Sequence, residues 1–203
     1  PYTYTWDDPA NQTTATITGL SGGTYNLPVQ DSDGCIAVDN VMIDDPGVLS
    51  VNVVLDADAS CNGFLDGQAT ATPSGGTTPY TYLWSSGETD ATASALGAGT
   101  ASVTITDANA CTTDGSTPVN EPGAIALSTA VDANASCAGF IDGSATVTAN
   151  GGTLPYTYSW DSGETTATAT ALDATTHIVT VTDNNGCFNI TDVTISEPGA
   201  LAT

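Results

Sequence analysis

The stretch Pro155-Tyr156-Thr157-Tyr158-Ser159-Trp160 places two tyrosines and a tryptophan in alternation with threonine and serine. This alternation is typical of a β-strand with one buried and one solvated face. Closely related stretches begin at Pro1 and Pro79. Because aromatic residues make up only 6% of the chain, each copy is predicted to form the centre of one small core. The predicted core residues are Tyr2, Tyr4, Trp6, Tyr80, Tyr82, Trp84, Tyr156, Tyr158 and Trp160.

Other sequence features recur along the chain at an interval of 76 residues. They are an acid-Pro-Gly triplet at 45–47, 121–123 and 197–199, a leucine at 20, 96 and 172, and a cysteine at 35, 111 and 187. Such a period indicates tandem structural units. The predicted units are the C-terminal part of a repeat at 1–45, complete repeats at 46–121 and 122–197, and the start of a further repeat at 198–203.

The strand pattern within one repeat predicts the fold class. In the third unit, alternating or β-branched runs separated by turn residues predict six strands, at 124–131, 144–149, 155–160, 165–172, 176–182 and 187–196. No segment has helical periodicity over ten residues. The prediction is an all-β chain of tandem immunoglobulin-like antiparallel β-sandwich repeats, each of about 76 residues.

The charge of the chain excludes two classes of partner. It has 0 Lys and Arg against 23 Asp and Glu, which gives a formal net charge of −23. Nucleic acid and anionic membrane surfaces both require basic residues, so neither is expected to bind. No apolar run is long enough to cross a bilayer, so membrane insertion is not expected either. A hydrophobic content of 40% argues against a disordered chain.

The cysteines are predicted to form disulfides, because a unit of this size buries little core. Strands that run alternately up and down would place the first loop and the last hairpin of a unit at the same pole, which favours Cys61–Cys111 and Cys137–Cys187. Each such bridge would stabilise its unit by roughly 4 kcal/mol. The alternative is pairing between units, as Cys35–Cys61 and Cys111–Cys137. Pairing within units places the partner of Cys35 before residue 1.

The first unit lacks its first two strands and could not close a sandwich by itself. We therefore expect either that this sequence is a segment of a longer array or that a neighbouring chain lends strands to it. An export signal would then also lie outside the segment.

The ordered motifs of the second and third units resemble a known family. Gly-Gly-Thr-x-Pro-Tyr-Thr-Tyr-x-Trp, Leu96-Gly-Ala-Gly-Thr100, Val-Thr-x-Thr-Asp-x-Asn-x-Cys and a terminal Glu-Pro are similar to the SprB repeat of very large surface adhesins of gliding Bacteroidetes. The resemblance spans essentially all of 1–197. It implies an extracellular protein of the bacterial cell surface, exported by type IX secretion, that forms filaments for adhesion and gliding motility.

Catalysis is not expected. The single histidine, His177, aligns internally with Tyr25 and Ala101, so it is predicted to be a solvent-facing strand residue. No Ser/His/Asp or Cys/His constellation can be assembled around it. The chain is therefore predicted not to be an enzyme and to require no cofactor.

Calcium is the one ligand that the acidic loops suggest. Clustered oxygen ligands of the type that Ca²⁺ prefers follow the first strand of each complete unit and recur in its last hairpin. The candidate ligands are Asp56, Asp58, Asp66, Asp107, Asp132, Asn134, Asp142 and Asp183. The alternative is that these side chains bond their own backbone, as Asp and Asn commonly do in turns.

Together these observations predict a non-catalytic structural segment of an extracellular filamentous adhesin. Its expected partners are further repeats of the same chain, other copies in a filament, and a cell-surface or substratum ligand bound through a part outside the segment. The alternatives are a calcium-dependent carbohydrate-binding module and a spacer of a large secreted enzyme.

Overall fold

The structure, a computed structural model, describes residues 1–199 and contains fifteen strands and no helix in that range. The first unit has β1 (Thr3–Tyr4), β2 (Gly23–Gln30) and β3 (Ile36–Ile43). The second has β4 (Ser50–Ala57), β5 (Gly67–Ser74), β6 (Thr81–Trp84), β7 (Thr92–Leu96), β8 (Gly99–Thr106) and β9 (Thr112–Val119). The third has β10 (Ala126–Ala133), β11 (Gly143–Asn150), β12 (Thr157–Trp160), β13 (Thr168–Leu172), β14 (Thr176–Thr182) and β15 (Phe188–Thr194).

The second and third units each consist of two three-stranded antiparallel sheets. The sheet orders are β4-β5-β7 and β6-β8-β9 in the second unit, and β10-β11-β13 and β12-β14-β15 in the third. In each unit the apolar faces of the two sheets enclose one core. The predicted all-β sandwich class is therefore confirmed, and the six strands predicted for the third unit agree with the structure to within three residues at every end. Among the described residues no helix is long and apolar enough to span a membrane.

The alternation along the strands determines which side chains enter the core. In β14, Val179 and Val181 are fully buried, whereas Ile178 is exposed and Thr180 is half-buried. Trp84 and Trp160 are 2% and 3% exposed and occupy the centres of the two cores, as predicted. Each indole N–H donates to a backbone carbonyl at 2.9 Å, so the polar edge of each tryptophan is satisfied.

Tyrosines of the aromatic stretches lie at the margin of the cores. Those of the second and third units pack against the buried residues but remain partly exposed. The hydroxyl of Tyr80 donates to the carbonyl oxygen of Gly75 at 2.6 Å, and Tyr156 donates equivalently to Gly151. Tyr80 and Tyr156 therefore pack their rings against the core while their hydroxyls hold the turn that precedes the aromatic strand.

The first unit has a single sheet, in the order β1-β2-β3. The described residues provide no second sheet to face it, so Trp6 and Tyr4 are only partly buried. Tyr2 is 68% exposed, and its prediction as a core residue is wrong. The boundaries predicted for the units stay a prediction, and residues 200–203 of the segment 198–203 lie outside the described part of the chain.

Candidate inter-repeat junction

The structure pairs Cys61 of the second unit with Cys187 of the third, across 126 residues of sequence. The predicted pairings Cys61–Cys111 and Cys137–Cys187 are therefore wrong, and so are the alternatives Cys35–Cys61 and Cys111–Cys137. Cys61 is only 4% exposed in the bridge. The remaining cysteines of the described residues carry free, exposed thiols: Cys35, Cys111 and Cys137.

The direction of the strands explains why the pairing crosses between units. The prediction assumed that every strand reverses the one before it. In the structure β6 pairs antiparallel with β8, and β7 pairs antiparallel with β5, but β6 and β7 run in the same direction. The chain passes from one sheet to the other part of the way up the sandwich instead of turning back. One reversal is lost, so the last strand of each unit runs parallel to the first.

Hydrogen bonds at the two poles of a unit confirm this direction. After the parallel strands β4 and β9, the backbone N–H of Asn120 donates to Asp58 at 2.7 Å. At the opposite pole, where β10 and β15 of the third unit begin, the side-chain amide of Asn189 donates to the carbonyl oxygen of Ile125 at 2.7 Å. The first-loop cysteine therefore lies at the pole where the chain leaves the unit, and the hairpin cysteine lies at the pole where the chain enters. Where one unit follows another, the first-loop cysteine of the earlier unit therefore lies beside the hairpin cysteine of the later unit.

The bridge is accompanied by direct contacts between the two units. The side-chain amide of Asn185, in the hairpin of the third unit, donates to the carbonyl oxygen of Ser60 at 2.9 Å. A cleft of about 440 Å³ lies beside the disulfide. Phe64 from the second unit and Phe188 from the third line it, and both side chains are more than half exposed. The sequence analysis predicted a role only for the aromatic residues of the core strands and missed this pair.

The linker between the units is fixed at its beginning. The carboxylate of Glu121 accepts hydrogen bonds from the side chain of Asn62 at 2.7 Å and from the backbone N–H of Gly63 at 2.6 Å. In the third unit Glu197 accepts from the backbone N–H of Gly139 at 2.9 Å. The acid of each of these acid-Pro-Gly triplets therefore holds the end of its unit against the loop that carries the first cysteine.

The end of the linker is fixed by close backbone packing. The backbone N–H of Gly152 donates to the carbonyl oxygen of Gly123 at 2.7 Å. Gly151 has a φ of +84°, and a Cβ there would lie 2.1 Å from the carbonyl oxygen of Ala124. Only glycine fits both the conformation and the space. With both ends held, the linker orients the third unit relative to the second.

The junction elements recur in the other units with the same local geometry. In the three hairpins the cysteine N–H donates to the aspartate that opens the hairpin, at 2.9, 2.8 and 2.9 Å for Cys35, Cys111 and Cys187. In the two loops the backbone N–H of the following phenylalanine donates to the carbonyl oxygen of Cys61 or Cys137 at 3.1 Å. Cysteines that form the bridge and cysteines that do not are therefore presented in the same way.

Most of the candidate calcium ligands act as hydrogen-bond acceptors in these loops and hairpins. The backbone N–H of Thr77 contributes most among several donors that lower the pKa of Asp107. Ser60 and Ser136 lower the pKa values of Asp66 and Asp142 in the same way. The other candidates accept as follows: Asp56 from Thr70, Asp58 from Asn120, Asp132 from Thr146, Asn134 from Ser196, and Asp183 from Thr153, Asn185 and Cys187. Within residues 1–199 no three Asp, Glu, His or Cys side chains are grouped to hold a metal ion.

His177 is buried, at 7% exposure, so its prediction as a solvent-facing residue is wrong. Its Nδ1 lies 3.0 Å from a carboxylate oxygen of Asp161, and its Nε2 lies 3.0 Å from one of Asp173. Both ring nitrogens therefore face acceptors, which only the doubly protonated imidazolium satisfies. Burial lowers the pKa of His177, but the backbone carbonyl of Asp173 and the two carboxylates together raise it above its ordinary value of 6.5.

The surroundings of His177 suit ion pairing better than catalysis. The hydroxyl of Thr175 is 3.4 Å from Nε2, farther than the carboxylate and carbonyl oxygens of Asp173. That hydroxyl itself donates to Asp173 at 2.7 Å. A general base needs a free lone pair aimed at the proton it removes, and both nitrogens of His177 are occupied.

Comparison with known proteins supports the sequence resemblance at two places. The model of the SprB repeat matches residues 57–89 and 129–165. These segments contain the first-loop cysteines and the aromatic strands of the second and third units. Among curated proteins, none matches this chain in sequence.

Solved structures that match this chain share little sequence with it. The N-terminal eight Ig domains of Down Syndrome Cell Adhesion Molecule match with 12% identity and a TM-score of 0.40, covering 97% of this chain and 33% of that one. A C-terminal intimin fragment, in complex with the intimin-binding domain of its translocated receptor, matches with 12% identity and a TM-score of 0.34, covering 85% and 57%. Extracellular domains 3–5 of Drosophila OTK match with 11% identity and a TM-score of 0.31, covering 96% and 85%. The chain thus spans about a third and somewhat over half of the first two.

Proposed function

We propose that the chain, two segments of which match the SprB repeat, is a structural and non-catalytic part of an extracellular filamentous adhesin. The observation that carries the proposal is the junction: two sandwiches in series are joined by a disulfide, a hydrogen bond between loops and a linker held at both ends. A catalytic or freely hinged module has no need of such a connection, whereas a fibre needs every unit fixed to the next.

The chemistry of the chain is consistent with a location outside the cell. Structural disulfides form and persist in oxidising compartments such as the cell surface. The net charge of −23 keeps neighbouring fibres apart by repulsion and leaves no basic patch for nucleic acid or anionic lipid. We further propose, from the resemblance, export by the type IX route and a role in surface attachment or gliding, with ligand binding by another part of the protein.

Immunolabelling of intact producing cells tests the proposal. Antibodies raised against residues 122–197 are expected to decorate thin surface filaments in electron micrographs, with many labels along each filament. Antibody preabsorbed with the purified chain provides the control. Label found only on soluble secreted protein would overturn the filament and favour a spacer within a secreted enzyme.

A carbohydrate-binding module is the second candidate, because of the cleft at the junction. The exposed rings of Phe64 and Phe188 flank this cleft of about 440 Å³, and ligand sites are commonly concave and lined by aromatic side chains. Titration with soluble polysaccharides, with and without calcium, tests it. Binding that Phe188→Ala abolishes would support this function. The matched control is Phe140→Ala, the equivalent of Phe64 in the third unit, which faces no further unit among the described residues. Absence of binding, or equal loss in both variants, would reject it.

A further inference from the structure

We propose that Cys61–Cys187 is one link of a disulfide ladder, in which the first-loop cysteine of each unit is joined to the hairpin cysteine of the next unit. In this ladder Cys137 pairs with the hairpin cysteine of the unit that follows, and Cys111 pairs with the first-loop cysteine of the unit that precedes its own. Cys35 pairs in the same way with the unit before it. The inference rests on the proposed function only in requiring a tandem array.

Both cysteine positions of the bridge recur in the other units. Cys137 occupies the position of Cys61 one repeat later, and Cys111 occupies the position of Cys187 one repeat earlier. Each of these equivalent cysteines has the backbone hydrogen bond of its counterpart, so it is presented at the same pole of its unit. Cysteines that occupy these positions are exposed where no neighbouring unit reaches them, and Cys61 becomes buried where one does.

The residues that make contacts around the bridge recur as well. Asn185, which reaches across the junction to Ser60, has its counterpart in Asn109, and Ser60 has its counterpart in Ser136. The carboxylates of Glu121 and Glu197 hold the loops of their units in the same way. A further unit that follows Glu197 would therefore meet a junction surface already formed.

Formation of each link is an ordinary thiol–disulfide exchange. The thiols of the two cysteines lose two protons and two electrons to a disulfide oxidant, either a protein disulfide or a small-molecule disulfide, which is reduced to two thiols. A sulfur–sulfur bond forms between the units and the sulfur–sulfur bond of the oxidant breaks. The reaction needs no group from the chain other than the two thiols.

The ladder changes how an array bears load. The short segments Cys35–Cys61 and Cys111–Cys137 each connect the hairpin cysteine of one unit to the first-loop cysteine of the next. A covalent path along the array can therefore alternate one disulfide with one short segment of this kind. The ladder contains two of these paths in parallel. Even with every sandwich unfolded, two units of the array could reach a length of only about 90 Å, compared with about 530 Å without the bridges, at roughly 3.5 Å for each residue. The fibre would be nearly inextensible.

A chain that carries one added copy of residues 122–197 after Glu197 tests the ladder. Its seven cysteines should form two links after oxidation with oxidised glutathione, leaving three free thiols in a quantitative thiol assay. Five free thiols would mean that the added copy forms no link, and would overturn the ladder.

Two matched variants separate the ladder from pairing within the added unit. Cys137→Ser in the original third unit should leave four free thiols, because the added hairpin cysteine loses its partner. The same substitution in the added copy should leave two, because that position takes no part in a link. The reverse result would overturn the ladder in favour of pairing within units. Circular dichroism establishes that all variants are folded, and the outcome is independent of whether cells display filaments.

Discussion

Mechanical extension of the chain is expected to depend strongly on the Cys61–Cys187 disulfide. When the chain is pulled from its two ends, the load passes through residues 1–61, across the bridge and through residues 187–203. The 126 residues of sequence separation are bypassed. At about 3.5 Å for each residue, reduction of the bridge should add roughly 440 Å of extensible length. The Cα atoms of the two cysteines are only 5.7 Å apart, so the distance that the bridge itself spans is negligible compared with the length released.

The bridge also determines which strands the load reaches. The strands from β1 to β4 lie outside the bypassed loop on one side and β15 lies outside it on the other, whereas the strands from β5 to β14 lie within it. In the oxidised chain the force should therefore unfold the sheet of the first unit, remove β4 and β15 from their sheets, and stop at the disulfide. Optical tweezers with non-cysteine attachment tags at both termini can measure the extension before and after addition of a reductant.

Cysteine variants provide the controls for this measurement. Cys61→Ser should give the long extension without reductant, and Cys137→Ser, which changes a free thiol, should behave as the unchanged chain. Equal extensions of the oxidised and reduced chains would refute the reasoning, because they would mean that load does not pass through a bridge between the units.

Three further results are expected. The pKa of His177 is raised in the folded state, so its ion pairs stabilise the fold fully below pH 6.5 and are lost as the pH rises through the folded-state pKa. The melting temperature should therefore fall as the pH rises over that interval, and His177→Ala should remove the fall. A fall that persists in the variant would contradict this. Gly151→Ala and Gly163→Ala both place a side chain at positive φ, at about 1 kcal/mol, but only at Gly151 would the Cβ meet a carbonyl oxygen, at 2.1 Å. Urea denaturation should therefore show a loss about 1–3 kcal/mol larger for Gly151→Ala, and equal losses would count against the close packing of the linker. Calcium should not raise the melting temperature beyond the effect of sodium chloride at equal ionic strength, since the candidate carboxylates already accept internal hydrogen bonds; a calcium-specific rise would instead support a calcium site.

The sandwich could be predicted because its determinants are local. The alternation in Thr176–Thr182 specifies which side chains are buried without reference to any other strand, and Val179 and Val181 are fully buried as a result. The tryptophans are equally determined by the scarcity of other large apolar residues. The core positions in the first unit depend on a second sheet, which no local pattern supplies, and Tyr2 is exposed for that reason.

The disulfide could not be predicted because it depends on the direction of strands in three dimensions. Sequence spacing shows that β6 and β7 are separate strands, but not that both run the same way in different sheets. That single feature moves Cys61 and Cys111 to opposite poles. The pairing register shows where the chain crosses between the sheets: Trp84 pairs with Val103 and Thr92 pairs with Thr70, each midway along the longer strand. This crossover depends on tertiary packing.

The burial of His177 could have been predicted from the sequence, but not by aligning the units one position at a time. The residues equivalent to His177, Asp161 and Asp173 in the second unit are Ala101, Ser85 and Gly97. One imidazole and two carboxylates therefore replace three small residues together, in one unit and not the other. Substitution of a small buried residue by histidine would leave an unsatisfied polar ring, and the two new acids provide its partners. Comparing the units for joint substitutions would have predicted the ion pairs.

The placement of the disulfide distinguishes an array with fixed junctions from a series of independent domains. A bridge within each unit would restrict the unfolded chain and stabilise that unit, by about 4 kcal/mol in the chain-entropy model, but it would leave the linker free to bend and to bear the full load. A bridge between units instead fixes their relative orientation and carries the load past both cores. The like charges of a chain with 23 acids and no basic residue oppose close stacking of the units. A covalent junction holds them together irrespective of the salt concentration, which ion pairs between units could not do.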